Sequence, residues 1–274
     1  MTRRNGVAGN YVMKTCASVS DGPATGKPVD GPDDSLASLP CRVTLPAPDI
    51  EVWLMSLDTR VDRIKQCFAL LSRDEQARAE RFHFERDRRR FTVARGMLRV
   101  LLGKQLGMAP ATIEFRYAQY GKPQVSDRAT PIHFNVSHSA EMAIYAISRD
   151  CVPGVDIEHV NRDIEAEALA QRFFSHRECA ELQRIPAADR KRAFLAAWTR
   201  KEAIIKSTGD GLRLPLNQIE VTIAPDAPPE LLSIMRGPIK DWTLYPVNAG
   251  REYVATVAAN RLQPEMSRCG ARRR

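Results

Sequence analysis

The chain has 274 residues, of which 43% are hydrophobic and 27% are charged, and its formal net charge is +8. It contains no run of about 18 apolar residues, so we expect no membrane-spanning helix, and we see no secretory signal at the N-terminus. Six scattered cysteines without CxxC spacing argue against a zinc site and predict the reduced thiols of a cytoplasmic protein. The positive charge favours a polyanionic partner: nucleic acid, a phosphorylated cofactor or an acidic protein.

The two ends of the chain differ in composition from its middle. Residues 1–48 cluster Gly, Pro, Ser and Asp without apolar periodicity, which predicts a disordered leader. Residues 263–274 end in GARRR and are predicted to form a solvated basic tail. The folded part is therefore expected to lie between them.

The first half of the folded part is predicted to be a strand followed by helices. The strand begins near Ile50, and residues 61–71 have helical spacing. Ser72 and Glu75 then have capping-box spacing, and one or two basic amphipathic helices follow. Their expected inward residues are Phe82, Phe91, Leu98, Leu101 and Leu102. Their arginines are Arg78, Arg81, Arg86, Arg88, Arg89, Arg90, Arg95 and Arg99. We expect most of these on the surface and a few to converge on phosphate, which guanidinium groups bind bidentately.

Short strands are predicted next, with two helices among them. The strands cover residues 113–117, 123–125, 132–136, 142–148, 154–158, 219–223, 242–244 and 253–257. A polar corner is predicted at residues 135–139, where two strands meet. Ser175 and Glu178 have capping-box spacing, and a long helix is predicted over about 189–207.

Three carboxylates in two of these elements form a candidate metal site. In Gly154-Val155-Asp156-Ile157-Glu158, strand alternation places Asp156 and Glu158 on one side. In WTRKEAIIKSTGDGL, Glu202 and Lys206 are four residues apart and share a helix face. Gly209 and Gly211 supply the stop signal. Because Mg²⁺ prefers carboxylate oxygens together with substrate phosphates, Asp156, Glu158 and Glu202 are the candidate ligands.

Basic and polar residues complete a candidate magnesium–pyrophosphate site. Lys206 lies one helical turn beyond Glu202, and Lys122 lies on a Gly-Lys-Pro turn. Ser137 and His138 add a hydroxyl and an imidazole. The combination is suited to phosphoryl or phosphonucleoside transfer.

A repeated pattern suggests an internal duplication. Phe91, Arg95, Leu98 and Arg99 have the same spacing as Trp198, Glu202, Ile205 and Lys206. The pattern predicts two similar lobes whose charged helix positions line a cleft between them.

Five motifs resemble one enzyme family when taken together and in order. GKP, FNVSHS, GVDIE, RFFSHRE and WTRKEAIIKSTGDGL occur between residues 121 and 212, and the chain resembles the long-chain, surfactin-type 4′-phosphopantetheinyl transferases from about residue 75 to 257. The resemblance implies an α+β fold of two pseudosymmetric α/β lobes with the active site between them. The lobes would cover residues 49–152 and 153–262, with the metal site in the second lobe.

The resemblance also implies an activity and its partners. Such enzymes move the phosphopantetheine arm of coenzyme A, with Mg²⁺, onto a serine of an apo acyl or peptidyl carrier protein and release 3′,5′-ADP. The chain is expected to act as a cytoplasmic monomer without membrane or nucleic-acid partners.

The family pattern implies a role for each candidate residue. Asp156, Glu158 and Glu202 would hold magnesium, and Glu202 would also take the serine proton, directly or through water. Lys206 would neutralise or protonate the departing phosphate. The expected coenzyme A ligands are Arg78, Arg90, Lys122, Ser137, His138 and Lys206. Glu75 stands where some members have a basic residue, so no phosphate contact is assigned there.

Two other functions compete with this interpretation. A basic nucleic-acid-binding module built on residues 78–99 would explain the charge but leaves the acidic trio without a role, and it lacks interleaved aromatic residues. A magnesium-dependent phosphohydrolase shares the metal site but leaves the remaining motifs unexplained.

Overall fold

The computed structural model describes residues 40–47, 49–118, 121–126, 131–209, 214–224, 227–235 and 237–261. The helices are α1 (Val61–Leu70), α2 (Arg73–Glu80), α3 (Glu85–Leu106), α4 (Ala166–Phe173), α5 (His176–Arg184) and α6 (Ala187–Thr208). The strands of the N-terminal half are β1 (Cys41–Val43), β2 (Ile50–Ser56), β3 (Phe115–Tyr117), β4 (Pro123–Val125), β5 (His133–Ser139) and β6 (Met142–Ser148). Those of the C-terminal half are β7 (Cys151–His159), β8 (Ile219–Val221), β9 (Leu231–Ile234), β10 (Trp242–Pro246) and β11 (Tyr253–Arg261).

The chain repeats one arrangement of elements twice. A strand, three helices, a short hairpin and two further strands run from β2 to β6 and again from β7 to β11. The antiparallel sheets have the orders β1-β2-β6-β5 and β10-β11-β7, so the order β2-β6-β5 matches β7-β11-β10. The predicted α+β fold of two pseudosymmetric lobes is confirmed.

The long helices α3 and α6 set the register of the repeat. Both have 22 residues, and both end at a glycine in the left-handed conformation, Gly107 (φ 65°) and Gly209 (φ 75°), a conformation that costs glycine little because it lacks Cβ. This register aligns Lys104 with Lys206, whereas the sequence comparison aligned Arg99 with Lys206. The predicted register of the duplication is therefore wrong, because both registers preserve helical spacing.

A buried carboxylate anchors the helices of the N-terminal lobe. Glu75 completes the capping box of Ser72, and its oxygens accept from Arg95 Nε (2.5 Å) and Arg99 Nε (2.7 Å). Arg99 also donates to the carbonyl oxygens of Pro110 and Ile113. Arg99 was expected at the cleft, but it is 1% exposed, because this network holds it inside the lobe.

The C-terminal lobe repeats this anchor with different residues. Glu178 completes the capping box of Ser175 and accepts from Lys201 Nζ at 2.6 Å. Lys201 also donates to the carbonyl oxygens of Leu216 and Ile219, as Arg99 does to Pro110 and Ile113. Lys201 and Glu178 are 0% and 1% exposed, so the lysine preceding Glu202 in the motif has a structural role.

Several sequence-based boundaries differ from the structure. Residues 41–43, assigned to the leader, form β1 because they pair with β2, and Leu45 and Ala47 are buried behind it. The proposed lobe boundary between residues 152 and 153 falls inside β7. The rest of the leader and the tail lie outside the described residues. Helix α4 and strand β9 were not predicted.

Among the residues that the structure describes, none of the helices combines the length and apolar character needed to cross a bilayer.

The buried anchor of the C-terminal lobe gives a stability prediction. Replacing Lys201 by Met leaves the buried Glu178 charge without its partner, so the free energy of unfolding should fall by about 3–5 kcal/mol. Chemical denaturation measures this change. Arg89→Met is the matched control, because Arg89 pairs with Glu85 while half exposed, and its loss should cost about 0–1 kcal/mol. Equal effects of the two substitutions would contradict the role given to Lys201.

Candidate active site

The site forms where β5 of the first lobe runs beside β7 of the second. The strands are bridged by side chains: Asn135 Oδ1 accepts from the Val155 N–H at 3.0 Å, and Ser137 Oγ donates to Asp156 Oδ1 at 2.7 Å. One pleat further, Ser139 Oγ donates to Glu158 Oε2 at 2.7 Å. Residues 135–139 therefore lie within a strand and not at the predicted corner, so that their alternate side chains reach β7.

Helix α6 packs directly on β7 at Gly154. A Cβ atom at this glycine would lie 1.9 Å from the Ala203 carbonyl oxygen and 2.5 Å from the Ser207 amide nitrogen. Real Cβ atoms never approach other atoms so closely, so only glycine permits this contact. The close approach brings Glu202 and Lys206 of α6 to the strand that carries Asp156.

Asp156 accepts hydrogen bonds from a residue of β5 in the first lobe and from a residue of α6 in the second lobe. Its Oδ1 atom accepts from Ser137 Oγ and from Lys206 Nζ, the latter at 2.5 Å. Lys206 Nζ also donates to Ser137 Oγ at 2.9 Å. The other oxygen, Oδ2, is buried and has no hydrogen-bond partner among the described residues. An unsatisfied buried carboxylate oxygen is costly, and a bound cation would satisfy it.

Glu158 is held from both sides. Ser139 donates to one of its oxygens, and Arg162, four residues along the chain, pairs with the other. Glu158 is 4% exposed. Burial, followed by the negative charge of Asp156, raises the pKa of Glu158 to about 7.

Glu202 meets these carboxylates from α6. Burial and the charge of Asp156 raise the pKa of Glu202 to about 7, with Glu158 adding to the rise and Lys206 opposing it. The three predicted metal ligands thus lie within electrostatic range of one another. Their mutual repulsion is only partly offset by Lys206 and Arg162.

The residues present fit a divalent cation, although the side chains are not yet arranged around one. Within the described ranges, no three His, Cys, Asp or Glu side chains are gathered as a ready ligand set. The donors are nevertheless the oxygens that Mg²⁺ prefers. Asp156 Oδ2 is a buried, unpartnered oxygen that a cation could bind, and burial, followed by the charge of Asp156, raises the pKa values of Glu158 and Glu202.

A pocket of about 530 Å³ opens beside the carboxylates and is lined entirely by the first lobe. Of the predicted coenzyme A ligands, Arg78, Arg90, Lys122 and His138 line it. Ser137 and Lys206 lie at Asp156 instead. The predicted set therefore divides between a pocket and the carboxylate cluster.

Each pocket residue has a different environment. Arg78 is exposed and lies over the Phe91 ring, whereas Arg90 is buried and donates two hydrogen bonds to Asp58, at 2.7 and 2.6 Å. Burial, together with the charges of Lys206 and Arg78, holds the pKa of His138 well below its usual range. His138 is therefore a neutral imidazole at pH 7.

Lys122 connects the pocket to the end of α6. Its Nζ atom donates to the carbonyl oxygens of Lys206 (2.6 Å) and Ser207 (3.3 Å), carbonyls in the last turn of the helix, where a cation interacts favourably with the helix dipole. Burial lowers the pKa of Lys122 to about 8. The turn residue thus fixes the helix that carries Glu202 and Lys206.

Sequence reasoning missed three polar contacts of the site. Asn135 and Ser139 were visible only as part of a polar motif, and Arg162 follows β7 in a segment without a motif. The alternation of polar residues in FNVSHS was the available signal for Asn135 and Ser139, since alternate residues of a strand point to the same side. Nothing in the sequence indicated Arg162.

The carboxylate repulsion can be tested by stability in the absence of metal. At pH 8, Glu202→Gln removes a partly buried negative charge near Asp156 and Glu158, so the free energy of unfolding should rise by about 1–3 kcal/mol. Thermal denaturation in chelator measures the change. Glu178→Gln is the matched control, because Glu178 is paired with Lys201 and its neutralisation should destabilise the protein. A loss of stability in Glu202→Gln would contradict the repulsion.

Comparison with known proteins identifies the family of this chain. Residues 58–150 match the family model described as 4′-phosphopantetheinyl transferase, N-terminal, and residues 153–258 match the 4′-phosphopantetheinyl transferase superfamily. The transferase HetI of Nostoc sp. is 39% identical over 194 residues, which cover 70% of this chain and 81% of HetI. Sfp of Bacillus subtilis is 31% identical over 158 residues, 58% of this chain and 69% of Sfp. The chain belongs to the 4′-phosphopantetheinyl transferase family and to its long-chain type.

Proposed function

We propose that this enzyme transfers the 4′-phosphopantetheine arm of coenzyme A to a serine hydroxyl of an apo acyl or peptidyl carrier protein. The serine oxygen forms a bond to the phosphorus nearest the pantetheine arm, and the bond from that phosphorus to the bridging pyrophosphate oxygen breaks. The products are the holo carrier protein and 3′,5′-ADP. The juxtaposition of a cationic pocket with the carboxylates of β7 and α6 is the observation that supports this function.

Magnesium is the proposed cofactor. Asp156, Glu158 and Glu202 would hold it. Asp156 Oδ2, which has no hydrogen-bond partner among the described residues, is the clearest candidate for a metal-ligating oxygen. When bound, the ion supplies positive charge that offsets the charge on the pyrophosphate oxygens. It would also relieve the repulsion among the three carboxylates.

Glu202 and Lys206 are the proposed catalytic residues. Glu202 takes the proton from the carrier serine, directly or through a water molecule, while serving as a metal ligand. Lys206 neutralises or protonates the departing phosphate. Lys206 Nζ donates to Asp156 at 2.5 Å and to Ser137 at 2.9 Å, which supports this role beside the carboxylates.

The nucleotide end of coenzyme A is proposed to occupy the pocket of the first lobe. Arg78 and Lys122 supply positive charge for its phosphates, and Arg90 supplies a buried guanidinium held by Asp58. His138, as a neutral imidazole, can donate one hydrogen bond to a phosphate without adding charge. Ser137 would contact a phosphate from the carboxylate side.

The competing functions have less support. Arg90, Arg95 and Arg99, which a nucleic-acid-binding face would need at the surface, are buried in ion pairs with Asp58 and Glu75. The phosphohydrolase alternative gives no reason for two lobes that both match the transferase family.

We also propose a monomer that acts in the cytoplasm. Both lobes of the pseudosymmetric fold are present in one chain, so the site needs no second copy. The cysteines at positions 41, 67 and 179 are free thiols, which suits a reducing compartment.

Incubation with coenzyme A, magnesium and an apo carrier protein tests the function. The carrier should gain about 340 Da, the mass of the arm, while 3′,5′-ADP appears.

Asp156→Ala should lose most of the rate, and excess magnesium should restore part of it. Glu202→Gln keeps an oxygen ligand but cannot accept a proton, so its turnover should fall far more than its coenzyme A affinity, without rescue by magnesium. Full rescue would assign the base role to bound water, and no mass gain with any carrier would refute the transfer.

The close contact at Gly154 gives a second prediction. Gly154→Ala should push β7 away from α6, so that turnover per folded molecule falls by tenfold or more, about 1.4 kcal/mol or more in the barrier. Gly96→Ala is the matched control, because a Cβ there would lie 2.6 Å from Cys67 Cβ, inside the first lobe. It should lower the melting temperature yet leave turnover per folded molecule unchanged. A similar loss of turnover in both variants would contradict the positioning role.

A further inference from the structure

Arg95 is a buried arginine that lines the pocket but has no place in the family-based assignment of coenzyme A ligands. It extends from α3 among the pocket residues and is 9% exposed. Nε donates to Glu75 at 2.5 Å, and Nη2 donates to the Tyr117 hydroxyl at 2.6 Å. The guanidinium lies 4.4 Å from the Phe115 ring centroid. Its plane is thus fixed by an anion, a hydroxyl and an aromatic ring.

Arg95 and Arg99 share Glu75 but differ in their other contacts. Both arginines pair with Glu75, but Arg99 is 1% exposed and donates onward to two backbone carbonyls inside the lobe. Arg95 makes no such bond to the backbone among the described residues. Two of its five N–H groups are used by Glu75 and Tyr117, which leaves three for a ligand.

The pocket that Arg95 lines also has apolar and aromatic walls. They include Phe82, Phe91, Leu98, Tyr117 and Phe134, and the Phe82 and Phe91 ring centroids are 5.3 Å apart. The flat, apolar faces of a nucleobase suit these side chains.

The positively charged residues of the pocket differ in their ion pairs. Among the described residues, Arg78 and Lys122 have no carboxylate within ion-pair distance, so their charge is available to phosphates. The single negative charge of Glu75 is shared by Arg95 and Arg99, so it offsets the charge of Arg95 only in part. Arg95 differs from Arg78 and Lys122 because Glu75 and Tyr117 fix its guanidinium group, so that its remaining N–H groups form a planar set of donors.

We propose that Arg95 and Tyr117 bind the adenine base of coenzyme A, with Arg95 donating to the ring nitrogens that accept hydrogen bonds. Glu75 positions Arg95 and does not touch the ligand. Because Tyr117 accepts from Arg95, its own proton can be donated to the base. This inference rests on the proposed function and names residues that select the purine within it.

Binding of two nucleoside bisphosphates tests the proposal without the transfer reaction. Adenosine 3′,5′-bisphosphate and uridine 3′,5′-bisphosphate carry the same phosphates and sugar but different bases. By calorimetry, the wild type should bind the adenosine compound more tightly. Arg95→Lys keeps the charge for Glu75 but loses the planar donors, so it should weaken adenosine bisphosphate binding about tenfold and the uridine compound much less.

Two further variants keep the test decisive. Arg99→Lys is the matched control, because it shares Glu75 and should lower the melting temperature without changing the preference for adenine. Tyr117→Phe removes one hydroxyl only, so it should fold and reduce the preference for adenine even if Arg95→Lys fails to fold.

Two results would overturn the proposal. If Arg95→Lys binds both nucleotides more weakly by the same factor, Arg95 is a phosphate ligand. If Arg95→Lys binds both as tightly as the wild type does, Arg95 is purely structural. Failure of the wild type to bind both compounds and to transfer the arm would instead refute the proposed function.

Discussion

The hydrogen bonds from Ser137 to Asp156 and from Ser139 to Glu158 connect the two lobes and also fix the carboxylates of the site. Because each carboxylate belongs to the second lobe and each hydroxyl to the first, neither lobe can form the site alone. The serines occupy alternate positions of β5 and the carboxylates alternate positions of β7, so a slip of one residue along either strand would break both bonds. The interface between lobes and the active site are therefore one structure.

This arrangement has an energetic cost that the rest of the molecule offsets. Asp156 and Glu158 are buried and Glu202 is partly buried, and burial, followed by the charge of Asp156, raises the pKa values of Glu158 and Glu202. The buried anchors at Glu75 and Glu178 hold the helices of each lobe by charges that are paired. The second lobe thus contains both Glu178, which is paired with Lys201, and Asp156, whose Oδ2 atom has no hydrogen-bond partner among the described residues and is proposed to bind a cation.

Local patterns were enough to predict much of the fold. The capping boxes at Ser72 and Ser175 involve residues three apart, and the spacing of Asp156 and Glu158 follows from strand alternation, so both could be predicted. The burial of Arg95 and Arg99 could not, because their partner Glu75 lies on another helix. The pairing of β5 with β7 was hidden for a similar reason: it uses side chains in place of a backbone ladder. The duplication was recognised, but helical spacing alone could not fix its register.

The short connection between the lobes bears on how substrate and product exchange. Only Arg149 and Asp150 separate β6 from β7, and Ser148 Oγ accepts from the amides of Asp150 (3.1 Å) and Cys151 (3.2 Å). This turn and the serine–carboxylate bonds join the lobes at two places. The pocket proposed for the nucleotide is lined by residues of the first lobe, so we expect its occupant to enter and leave without separation of the lobes. We then expect release of the spent nucleotide to depend on how tightly its phosphates are held, and turnover to depend on ionic strength.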